Sequence, residues 1–114
     1  MTAVMEASDV QFQGFSPGTE IWGVTQANFL IKVPDRHEKE AAILLNDPAA
    51  KMLADASGHE NTPEFREDAA RTAGGIVFRA VVENDRNVDS IVMVSNAFFE
   101  QNPALLEQIK AALS

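Results

Sequence analysis

A chain of 114 residues, 46% of them apolar, fits one domain with a single core that buries about two-thirds of the surface exposed on unfolding, without disulfide or metal support. The absence of cysteine excludes disulfide scaffolds, thiolate zinc sites and cysteine nucleophiles. A net charge of −8 with nine scattered basic side chains disfavours nucleic acid as a partner and favours a basic protein.

Met1–Ser8 reads as a flexible tail and residues 9–114 as the single globular domain. Val10 to Phe15 begins with apolar residues at alternate positions, Val10 and Phe12, the period of a half-buried strand. Ser16-Pro17-Gly18-Thr19 has proline and glycine where a type II turn wants them, so Ile21 to Thr25 is expected to return as a second strand. Phe29 to Val33 is either a third strand or the far end of one long strand interrupted near Gln26-Ala27-Asn28. Pro34-Asp35 stops it, and Asp35 with Glu38 three residues later forms a capping-box pattern, which predicts a helix with the stripe Ala41, Leu44 and Leu45.

Three dipeptides, Asp47-Pro48, Thr62-Pro63 and Asn102-Pro103, each place a capping side chain before a proline whose missing N–H costs a helix nothing in its first turn. The first launches a short helix through Met52 and Leu53 to about Ala56, and Ser57 to Asn61 is a loop. The second launches a helix along Phe65, Ala69 and Ala73, with Gly74-Gly75 as its C-terminal stop. Ile76, Val77, Ala80 and Val81 also continue that helical spacing, but two interior glycines cost a helix about 2 kcal/mol together relative to alanine. The reading favoured is a hairpin, with strands Ile76–Glu83 and Val88–Val94 joined by Asn84-Asp85-Arg86-Asn87. Asn96 to Gln101 forms a short helical turn, and Pro103 to Leu113 an amphipathic helix burying Leu106, Ile109 and Leu113.

These elements define an α+β fold: a mainly antiparallel four- to five-stranded sheet, helices between N- and C-terminal hairpins, and a C-terminal helix. The alternative is an α/β arrangement with a long helix over residues 63–84, in which Phe29–Val33 and Val88–Val94 become parallel neighbours.

Chemistry is less legible than architecture. His37-Glu38 and His59-Glu60 offer nitrogen and oxygen donors, but their spacing matches no metal-ligand series, so no metal or other cofactor is expected. No serine sits in a Gly-x-Ser-x-Gly elbow, and Gly74-Gly75 belongs to no phosphate loop. In the hairpin reading Val77, Val81, Ile91 and Met93 share the face opposite Phe78 and form an interface, most simply of a homodimer. The longest apolar run, Ala41–Leu45, is far too short to span a membrane, and the first basic residue is Lys32, so a cytoplasmic protein with no membrane contact is expected. The leading functional expectation is a small acidic, non-catalytic binding or regulatory protein acting by protein–protein contact. The alternative is a ligand-binding protein or small enzyme with a pocket near Trp22, His37 and Arg79.

Overall fold

Strand β1 (Asp9–Phe15) turns Val10 and Phe12 inward, as their alternation predicts, and pairs antiparallel with β2 (Val24–Lys32). The computed structural model describes residues 9–32, 38–84 and 88–114. Between β1 and β2 the chain makes a single 3-10 turn, Thr19–Trp22, bracketed by Gly18 at φ 82° and Gly23 at φ 73°, left-handed conformations that glycine adopts without a Cβ clash. Ile21 and Trp22 of the expected second strand therefore belong to this turn, and its remainder joins the expected third in one strand that runs through Gln26–Asn28 without interruption. Along β2, Ala27, Phe29 and Ile31 are buried, whereas Gln26, Asn28 and Leu30 point to the opposite face.

The predicted helix over Ala41, Leu44 and Leu45 does not form. Residues Lys39–Asn46 are strand β3, antiparallel to β2 and with β4 on its other edge. A short unbroken apolar run serves a central strand as well as a helix, and only pairing on both edges decides between them. Asp35 lies outside the described residues, and the Glu38 carboxylate sits 3.3 Å from Lys32 Nζ across the β2–β3 connection.

Helix α1 (Asp47–Ser57) follows directly, capped by Asn46, whose Oδ1 accepts from the Ala49 amide at 3.0 Å, rather than by Asp47. Helix α2 (Pro63–Glu83) starts at Thr62 as expected, its Oγ1 accepting from the Phe65 amide at 3.0 Å. It does not stop at Gly74-Gly75, so the hairpin of Ile76–Glu83 with Val88–Val94 is replaced by a 21-residue helix and a short strand, β4 (Ile91–Val94). The reason is a close approach: a Cβ on Gly74 would stand 2.2 Å from Cε1 of Phe29. Gly74 lets α2 settle against β2, where Phe29 and Phe78 pack edge to face at 5.5 Å and Phe78 is fully buried. That packing offsets the helix cost of about 1 kcal/mol per glycine. Gly75 has no such neighbour.

The sheet order is β1-β2-β3-β4, antiparallel except for the β3–β4 pair, so the fold is α+β with a mostly antiparallel, four-stranded mixed sheet. The long helix belongs to the alternative reading, but the parallel neighbour of β4 is β3, not Phe29–Val33. Helix α3 (Asn96–Gln101) is capped by Ser95, and α4 (Pro103–Leu113) buries Ile109 and Leu113, with Leu106 only partly covered. Asn102 does not cap α4 through its side chain: its Nδ2 donates back to Phe98 O at 2.9 Å and closes α3. All four helices contribute to one core against one face of the sheet, around Ile43, Leu45, Leu53, Phe78, Val94 and Ile109. No described helix is long and apolar enough to cross a membrane.

Candidate functional site

The strand registers sort the side chains of the second sheet face. Leu44 lies beside Met93 and Ala42 beside Ile91 across β3–β4, while Gln26 and Asn28 stand opposite Leu44 and Ala42 across β2–β3. The face is divided. Its β1–β2 half is polar and internally bonded, with Gln26 Nε2 donating to Asn28 Oδ1 at 2.9 Å and Asn28 Nδ2 to Ser16 Oγ at 3.0 Å. Its β3–β4 half is apolar, and among the large apolar side chains Ile91 (64% exposed) and Met93 (47%) face outward. Where the halves meet, a concavity of about 440 Å³ is lined by Asn28, Leu30, Glu40, Ala42 and Ser90.

Strand β4 is also an edge of the sheet. The Ala42 amide donates to Ser90 O at 2.8 Å, so Ser90 and, by the alternation of a parallel ladder, Val92 direct their backbone groups toward β3. Ile91 and Met93 direct theirs away from the sheet. The same two residues thus direct outward backbone groups that pair with none of the described residues, and they expose apolar side chains. The edge sequence Ser90-Ile91-Val92-Met93-Val94-Ser95 has no charge or proline of the kind that blunts exposed edges.

The four residues expected to form one interface face are divided by the fold. Ile91 and Met93 lie on the outer face, whereas Val77 is buried and Val81 half-buried on α2, lining a groove of about 330 Å³ with Val92, Phe98 and Leu105. A helix in place of a strand moved them: period 3.6 turns Val77 and Val81 toward α3 and α4 beside Phe78's own packing.

Nor does the expected ligand trio converge. Trp22 is 79% exposed on the 3-10 turn beside Ile21, Arg79 is exposed along α2 in a groove that Trp22 does not line, and His37 lies outside the described residues. His59 is exposed as expected, but its ring is anchored, with Nε2 2.7 Å from Leu113 O at the end of α4 and the ring centroid 5.4 Å from that of Phe65. Among the described residues no three His, Asp or Glu side chains are grouped to hold a metal ion. The hydroxyls of Ser57 and Ser95 are engaged at helix ends, on Leu53 O and the Phe98 amide. Sequence reasoning missed Leu44, Ala42 and Leu30 as members of the open face, because a face appears in β3 only once it is read with period 2. No protein-family model, curated protein or solved structure matches the chain.

Proposed function

We propose that this is a small acidic, non-catalytic protein that acts through protein–protein contact, and that its β4 edge pairs with a second copy of the chain. The observation that carries the reading is the coincidence, at Ile91 and Met93, of outward backbone groups and exposed apolar side chains on an uncharged edge. An antiparallel pairing about a two-fold axis at Val92 sets Ile91 opposite Met93 of the second copy. Both residues then use their outward N–H and C=O groups, and their side chains meet on the same face as a cross-strand pair. Each copy carries −8, so the copies approach best where the surface holds no ionised group, and the remaining acidic surface suits a basic protein.

Light scattering after size exclusion tests this. Wild type is expected to be a dimer at roughly 100 μM, well above the micromolar affinity of a modest interface. Met93→Lys, which places a charge at the symmetric contact while leaving the buried face untouched, is expected to be a folded monomer. A wild-type monomer at that concentration, or a dimer indifferent to Met93→Lys, overturns the pairing.

A further inference from the structure

A second site lies on the other side of the molecule, between α2 and β1. A groove of about 410 Å³, within the range of small-molecule pockets, has Phe12 and Phe29 in its floor and Arg71, Gly75, Ile76 and Arg79 along its α2 wall. Arg71, Gly75 and Arg79 are spaced four apart, so they lie in one row along the helix, the two arginines about 12 Å apart in axial rise with the glycine midway. The Arg71 guanidinium is already placed, its carbon 4.7 Å from the centroid of the Phe12 ring. Neither arginine forms an ion pair with a described carboxylate, although Asp68, one turn before Arg71, also lines the groove.

Gly75 is the informative member of the row. Apart from proline, glycine is the residue a helix interior tolerates worst, and the reason that justifies Gly74 is absent one position on, where a Cβ would meet nothing within 4 Å. Positions that break a local rule with no packing gain are where functional constraints are expected. Here the constraint is open space at the middle of the groove, flanked by two cations on a chain that has only nine basic residues.

We infer that this groove binds an organic monocarboxylate with an aryl or alkyl body. Arg79 takes the carboxylate through its fork of N–H donors, and the body lies over Gly75 against Phe12 and Ile76. Arg71, fixed on Phe12, closes the far end and holds the aromatic wall in position. The site uses neither Trp22 nor His37, and it is independent of the β4 edge.

The test is a titration of the full chain with 4-phenylbutyrate, followed by backbone amide shifts in heteronuclear NMR. Saturable shifts are expected at Gly75, Ile76 and Arg79, with a dissociation constant of about 1 mM or tighter. Arg79→Gln is expected to weaken binding about tenfold, and the neutral analogue 4-phenylbutan-1-ol to bind at least about tenfold more weakly than the carboxylate. Gly75→Leu fills the open space with a good helix former, so it should lose binding while unfolding at the same temperature as wild type or higher. The inference fails if no saturable shift appears by about 20 mM, if the alcohol binds as well as the carboxylate, if the shifts centre on β4, or if Gly75→Leu binds like wild type.

Discussion

Gly74 and Gly75 show how adjacent, identical residues carry opposite consequences. In sequence both read as a helix stop; in the fold both lie inside α2, one against the Phe29 ring and one over open space. Gly74→Ala is therefore expected to destabilise by about 1–3 kcal/mol, because the helix must lift from β2 or Phe29 must leave its place between Phe12 and Phe78. Gly75→Ala should stabilise by about 0.5–1 kcal/mol, since it removes backbone freedom from the unfolded chain and meets no neighbour. Denaturant unfolding of the two variants in parallel checks the sign difference. Equal effects at the two positions would refute the facing of α2.

At the scale of elements, the helix starts were legible, with Thr62 alone of the three expected caps acting as expected, and the strand–helix choice was not. Thr62 caps α2 as its position before Pro63 predicts, because an oxygen on a β-extended residue reaches the third amide ahead wherever that geometry recurs. At α1 the same logic selects Asn46 over Asp47 by one residue, the shift following from where β3 ends. Asn46→Ala should cost about 1 kcal/mol and Asp47→Ala distinctly less, measured by thermal or denaturant unfolding. The segments read wrongly, Lys39–Asn46 and Ile76–Glu83, share a cause. Alanine and leucine in β3 carry helix propensity, and the β-branched residues of α2 carry strand propensity, yet in both segments burial against partners distant in sequence outweighs preferences of about 1 kcal/mol or less per residue.

For the whole molecule, the four helices cover one sheet face and, among the described residues, none of them covers the other. An acidic chain that self-associates through an uncharged edge does so against its own repulsion, which salt screens over a Debye length of about 8 Å at physiological ionic strength. The proposed dimer is thus expected to tighten severalfold between low and moderate salt, whereas an interface built on ion pairs would weaken. Sedimentation equilibrium at two salt concentrations measures the direction, and weakening would contradict pairing through Ile91 and Met93.

Local chemistry along the chain suffices for the α+β class, the turn at Ser16–Thr19, the starts of α1 and α2 to within a residue, and the apolar stripe of α4. Each rests on chemistry between neighbours in the chain: a proline in a first turn, a side-chain oxygen three residues from an amide, apolar residues at a fixed period. Long-range packing is what makes Ala41–Leu45 a strand, carries α2 past two glycines, and sets Ile91 and Met93 apart from Val77 and Val81. Those outcomes depend on contacts between distant segments, Phe29 against Gly74, β3 between β2 and β4, and Val81 against Phe98 and Leu105 across one groove, and no local pattern encodes the energy of such contacts.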